Sequence, residues 1–148
     1  MNDEMLEILL IEDNAGDVRL IAEALGQGKT PIHLSVVGDG EAALQFLHRQ
    51  GQYSSAPRPA LILLDLNLPR KDGREVLAEI KRDRVLGCIP VVVLTGSEAP
   101  EDILKTYDLS ANCYVSKSAD PERLSRLVQA TEDFWIETAR LPLSHLKR

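Results

Sequence analysis

Short aliphatic runs alternate along the chain with longer segments in which apolar residues recur every three or four positions. Leu61-Ile62-Leu63-Leu64 and Pro90-Val91-Val92-Val93-Leu94 are continuous, the pattern of strands covered on both faces. Leu6 to Ile11 is broken only by Glu7 and reads as a first strand. Ile32-His33-Leu34-Ser35-Val36-Val37 alternates apolar with polar at its start, as a strand at a sheet edge does. Cys113-Tyr114-Val115-Ser116 is a short fifth strand.

Helical signals fill the gaps. Asn14 can cap a helix carrying Val18, Ile21, Ala22 and Leu25, which Gly26 and Gly28 end. Asp39 can cap a second, with Ala43, Phe46 and Leu47 inward, and Asp72-x-x-Glu75 opens a third through Val76, Leu77 and Ile80. Pro100 stands in the first turn of a fourth, marked by Ile103, Leu104 and Tyr107. Asp120-Pro121 starts the last, whose stripe runs Leu124, Leu127, Val128, Thr131, Phe134, Trp135 and Thr138. Strands alternating with helices predict an α/β fold, a doubly wound parallel sheet covered on both faces. With 148 residues and no repeat or low-complexity segment, the chain reads as one domain over 1–148, ending in an extended helix and a short tail over about 140–148.

Composition narrows the class. Cys88 and Cys113 lack metal-ligand spacing and read as buried free thiols of a reducing compartment. The acidic start, Met-Asn-Asp-Glu-Met, lacks the order of a signal peptide, and no apolar run nears the ~20 residues of a membrane helix. The expectation is a cytoplasmic protein. A net charge of -6 argues against a nucleic-acid partner.

The chemistry-bearing residues stand where the strands stop: Glu12-Asp13 after the first, Asp65 after the third, Thr95 at the fourth and Lys117 after the fifth. In a parallel sheet they share one edge, where ligands of such folds bind. Clustered carboxylates repel one another and raise their own pKa values, a conflict that a divalent cation removes. Oxygen ligands without His or Cys favour Mg²⁺. A carboxylate beside such an ion can attack phosphorus to give an aspartyl phosphate, with the Lys117 ammonium and the Thr95 hydroxyl meeting the phosphoryl oxygens.

Glu12-Asp13, Asp65 followed by Leu-Asn-Leu-Pro, Thr95-Gly96 and Lys117 together resemble the receiver domain of two-component response regulators. The likeness spans Leu6 to the last helix. It implies the (βα)₅ flavodoxin-like receiver fold with strand order 2-1-3-4-5. It implies that Asp65 takes a phosphoryl group from a phosphohistidine of a partner histidine kinase, with Mg²⁺ held by Glu12, Asp13, Asp65 and the backbone carbonyl of Asn67. Thr95 and Tyr114 would form the switch, the hydroxyl moving to the phosphoryl oxygen and the ring turning inward, while Asn67 and Ser97 would tune self-dephosphorylation. The chain departs from the family in carrying Ser118, where a proline usually follows the lysine.

Leu61 to Lys81, Asn112 to Ser118 and the late Phe134-Trp135 are similar to the stand-alone regulators paired with cyanobacterial phytochromes, which implies a phytochrome-type kinase. Without an appended DNA-binding module, output would pass through protein contacts. A last helix of ~28 Å would overhang strands of ~17 to 20 Å, so Phe134 and Trp135 suggest a homodimer through this helix and its neighbours. Three rival readings are a phosphorylation-independent adaptor, a nucleotide-binding flavodoxin-like module, disfavoured by the acidic loop Glu12-Asp13-Asn14-Ala15-Gly16-Asp17 where phosphate cradles are glycine-rich, and an aspartyl-phosphate phosphatase. The phosphatase would need a second Asp where Asn67 stands.

Overall fold

The computed structural model describes residues 5–142. Strands β1 (Leu6–Ile11), β2 (Ile32–Val37), β3 (Leu61–Leu64), β4 (Val91–Thr95) and β5 (Cys113–Ser116) alternate with helices α1 (Ala15–Leu25), α2 (Gly40–His48), α3 (Gly73–Arg82), α4 (Pro100–Asp108) and α5 (Pro121–Glu132). The sheet is parallel throughout, in the order β2-β1-β3-β4-β5. This is the doubly wound parallel sheet, in the strand order expected from the sequence.

Alternation along the strands divides the core in two. Leu9, Ile11, Ile62, Leu64, Val91 and Val93 face α2 and α3, meeting Phe46, Leu47, Val76, Leu77 and Ile80. Ile8, Leu10, Leu61, Leu63, Val92 and Leu94 face α1 and α5, meeting Ile21, Leu25, Leu124 and Val128. Central strands with both faces covered must be aliphatic at every position, which accounts for the unbroken runs.

Caps fix where the helices leave the site edge. The side chains of Asn14, Asp39, Asp72 and Asp120 accept from backbone N–H groups in the first turns of α1, α2, α3 and α5. Gly73 lets α3 start against the exit of β3: a Cβ there would lie 2.5 Å from both the Asp65 carbonyl oxygen and the Leu66 Cα. A side chain at this position would push on the backbone that carries Asp65.

Two expectations, the buried thiols and the unbroken last helix, need correction, and one helix turns apolar residues outward. Cys88 is exposed and Cys113 only partly buried, because Cys88 falls in a short 3₁₀ turn (Leu86–Cys88) whose buried member is Leu86. On α4, Leu104 is 73% exposed and Tyr107 48%; the one buried residue of this helix is Thr106. Nor does the last helix continue as one α-helix to Ala139. It changes at Glu132 to a π-wound turn over Asp133–Thr138, with Ala139 N–H donating to the Phe134 carbonyl.

The wider turn rotates the segment relative to the helix before it, and Trp135 and Ile136 pack against the α1/α5 side of the core. Phe134 stays 55% exposed, edge-on to Trp135 at a ring separation of 5.3 Å. The Thr30 backbone amide and hydroxyl both donate to Glu137 Oε2, at 3.3 and 3.1 Å, which ties the π turn to the loop before β2. Both aromatics therefore sit at the opposite edge of the sheet from Asp65. The expected tail, from residue 143 on, lies outside the described residues.

Candidate functional site

Strand register brings the site together. Ile11 pairs with Leu64, and Asp65 N–H continues the ladder to the Ile11 carbonyl at 3.0 Å. Thr95 pairs with Ser116, and Lys117 N–H donates to the Thr95 carbonyl. Glu12 N–H donates to the Val37 carbonyl at 3.0 Å. β1, β2 and β3 end opposite one another at Ile11, Val37 and Leu64, while β4 and β5 run two residues further, to Thr95 and Ser116; Glu12, Asp65, Thr95 and Lys117 thus all stand at the carboxyl ends of the strands.

Asp65 is 5% exposed and Thr95 and Glu12 are no more than 2%. Asp65 Oδ1 accepts from the Thr95 hydroxyl at 2.8 Å and from Asn67 N–H at 3.2 Å. Its other oxygen, Oδ2, lies 3.5 Å from Lys117 Nζ. That ammonium also donates to Glu12 Oε1 at 3.0 Å and to Asp17 Oδ2 at 2.7 Å. The cavity above this group, about 370 Å³, is lined by Asp17, Asp65, Asn67, Gly96, Lys117, Ser118 and Ala119.

The charges are in conflict. Burial, and then the charge of Asp65, push the Glu12 carboxyl up to about 7, against the opposing pull of Lys117 and of the Asn14 N–H. Burial alone would lower Lys117, but the Asp17 hydrogen bond and the charges of Glu12 and Asp65 outweigh it and hold the ammonium above its ordinary value. Carboxylate oxygens of Glu12, Asp13 and Asp65 all lie within 4.8 Å of one another. A buried carboxyl that resists ionising beside a second acid, with Asp13 exposed on the open side, suits a small divalent cation. The donor set is all oxygen, the chemistry of Mg²⁺. Such an ion, when bound, would neutralise the acids and draw charge from phosphoryl oxygens.

Behind the pocket, the Tyr114 hydroxyl points into the protein and donates to the Ser97 carbonyl at 3.0 Å, which also accepts from the Ser116 hydroxyl at 3.2 Å. Ser97 Oγ is committed to Asp102 Oδ2 at 2.7 Å, and Asp102 Oδ1 pairs with Arg74 at 3.0 Å. The described peptide bonds are all trans, so Lys117-Ser118 is trans.

The structure thus gathers Glu12, Asp13, Asp65, Asn67, Thr95 and Lys117 into one cluster, of which Asp65, Asn67 and Lys117 line the cavity, while Tyr114 hydrogen-bonds the Ser97 carbonyl just beyond Thr95. Phe134 and Trp135 are not part of this cluster. Sequence reasoning missed Asp17, whose carboxylate makes the shortest contact to Lys117. A signal existed: Asp17 is in the first turn of the helix that follows Glu12-Asp13, so it shares their edge of the sheet.

The profile of the response regulator receiver domain matches residues 8–129. The chain is 52% identical over 135 residues to the response regulator Rcp1 of Synechocystis sp. (strain ATCC 27184 / PCC 6803 / Kazusa), covering 91% of this chain and 92% of that protein. It superposes on the phosphorylated cyanobacterial phytochrome response regulator RcpA with a TM-score of 0.91 at 52% identity, covering 94% of this chain and 99% of that one. The Mn²⁺-bound form of Rcp1 gives a TM-score of 0.90 at 51% identity, covering 93% and 99%.

A cation held by Glu12 would displace its proton on binding. Mg²⁺ affinity is therefore expected to rise as pH passes upward through about 7, with a limiting slope of roughly tenfold per pH unit on the acid side. The Glu12→Gln variant should bind more weakly, with little slope. Calorimetric titration at several pH values checks this, and a flat profile for the unmodified chain would refute it.

Proposed function

We propose that this chain, which belongs to the response regulator receiver domain family, accepts a phosphoryl group on Asp65 and signals by a change in its protein-contact surface. The supporting observation is the convergence on one carboxylate of a hydroxyl from β4 and an ammonium following β5, beside an acidic trio suited to Mg²⁺. A nucleophile, its counter-charges and a cation site are what phosphoryl transfer to an aspartate needs.

In the proposed step a carboxylate oxygen of Asp65 attacks the phosphorus of a phosphohistidine. The new O–P bond replaces the N–P bond, and the histidine leaves as neutral imidazole once its nitrogen is protonated. Lys117, already facing Asp65 Oδ2, meets the phosphoryl oxygens as charge develops on them. Thr95 transfers its hydrogen bond from the carboxylate to a phosphoryl oxygen. Mg²⁺, held by Glu12, Asp13 and Asp65 with the Asn67 carbonyl, is the cation of this reading. Asn67 and Ser97 are assigned to self-dephosphorylation, Asn67 from the cavity wall and Ser97 through the loop it anchors with Asp102.

Tyr114 supports the switch assignment. Its ring lies inward while Thr95 bonds Asp65, so one arrangement of the loop after β4 serves both residues. A phosphoryl group would stabilise that arrangement through new charge-assisted bonds.

The partner is proposed to be a histidine kinase of the phytochrome type, on the likeness to RcpA and Rcp1, and a cytoplasmic location goes with that. We further propose a homodimer through the last helix and its neighbours. Phe134, 55% exposed beside the partly buried Trp135, supplies an apolar anchor.

Incubation with Mg²⁺ and acetyl phosphate should add one labile phosphoryl mass to the chain and none to Asp65→Asn. No adduct with this donor or with a phosphorylated kinase would leave the adaptor reading instead. Sedimentation velocity should show a dimer that Phe134→Ala weakens at least several-fold. A monomer at high concentration, phosphorylated or not, would overturn the dimer.

A further inference from the structure

We propose that Asp17 is a positioning residue that holds Lys117 in a resting place, so that a phosphoryl group on Asp65 must win the ammonium away from it. The proposal rests on the reading of Asp65 as phosphoryl acceptor and adds a residue that sets how readily the pocket takes that group.

Three contacts place the ammonium. Lys117 Nζ is 2.7 Å from Asp17, 3.0 Å from Glu12 and 3.5 Å from Asp65. The first two are hydrogen bonds and the third is an ion pair without one. A lysine has three N–H donors. Two are engaged by α1 and the residue after β1, so the ammonium lies closer to these two carboxylates than to Asp65.

Asp17 is built to hold it there. Its backbone N–H donates to the Asn14 side chain at 2.9 Å, so the cap of α1 fixes the turn on which the carboxylate stands. The side chain is 27% exposed, against 11% for Lys117, and both residues line the cavity over Asp65. The contact of Asp17 to the ammonium, at 2.7 Å, is shorter than that of Glu12, at 3.0 Å.

A phosphoryl group on Asp65 changes the competition. It brings about two negative charges within reach of Lys117, and Asp17 opposes its arrival twice over. The carboxylate retains the cation the group needs, and its own charge repels the group across the cavity. Both effects have the same sign. Removing the charge of Asp17 should favour any tetrahedral phosphoryl-like anion on Asp65, while removing one negative charge near the acidic trio should leave Mg²⁺ binding unchanged or weaker. A purely structural role would weaken both.

The test uses the full chain loaded with Mg²⁺ and beryllofluoride as the phosphoryl mimic, with binding followed by fluorine NMR or calorimetry. Asp17→Asn is expected to bind beryllofluoride roughly three- to tenfold more tightly than the unmodified chain, the size expected for a partly exposed ion pair. Asp17→Ala should shift the same way if Asn fails to fold, and Asp17→Glu, which keeps the charge, should return affinity toward the original value. Equal or weaker binding by the charge-removing variants would overturn the role of Asp17 and leave that of Asp65 intact. If the unmodified chain binds Mg²⁺ but takes neither beryllofluoride nor a phosphoryl group, the reading of Asp65 falls and this one with it.

Discussion

The ammonium of Lys117 is what allows the edge of this sheet to exist in its present form. Glu12 and Asp65 are both almost fully buried, and two carboxylates in such surroundings disfavour each other's charge as well as being penalised by burial. One cation reaching Glu12, Asp17 and Asp65 together offsets part of that penalty. The remainder shows in the raised value of Glu12. Everything else at the edge serves this contact: the carboxyl ends of β1, β3, β4 and β5 gathered on one side of the sheet, the Asn14 cap that presents Asp17, and Gly73, which lets α3 approach the β3 exit.

From that centre a chain of polar contacts leads outward. Thr95 bonds Asp65, while the loop just after Thr95 offers the Ser97 carbonyl to both Tyr114 and Ser116. Ser97 Oγ bonds Asp102 on α4, and Asp102 pairs with Arg74 on α3. Helix α4, which carries Asp102 in this chain, is weakly anchored, with Thr106 its one buried residue and Leu104 73% exposed. An element with few buried apolar contacts rearranges at low cost. On the proposed reading, this is how a charge added at Asp65 reaches the surface.

Much of this was legible in the sequence. Short aliphatic runs of four or five residues, bounded by turn residues, read as strands covered on both faces, and Asn14, Asp39, Asp72 and Asp120 announce their helices because an N-cap is a local hydrogen bond. Strand ends then place Glu12, Asp13, Asp65, Thr95 and Lys117 together once the sheet is known to be parallel. What was hidden depends on three-dimensional competition. The contact of Asp17 with Lys117 crosses from α1 to the end of β5, and no spacing encodes it. The π turn after Glu132 coincides with a contact distant in sequence, that of Thr30 with Glu137. Leu104 and Cys88 lie in apolar segments whose period fits burial, and only the packing shows which face is covered.

The central claim is that Lys117 and a divalent cation relieve the same electrostatic conflict. The most direct measurement is the unfolding free energy of the original chain and of Lys117→Met, with and without saturating Mg²⁺, at a pH above the Glu12 value of about 7. The account predicts that Lys117→Met loses about 3 kcal/mol without metal, as when one partner of a buried ion pair is removed, and gains more stability from Mg²⁺ than the original chain does. Equal stability of the two proteins without metal, or an equal gain from Mg²⁺ in both, would contradict it.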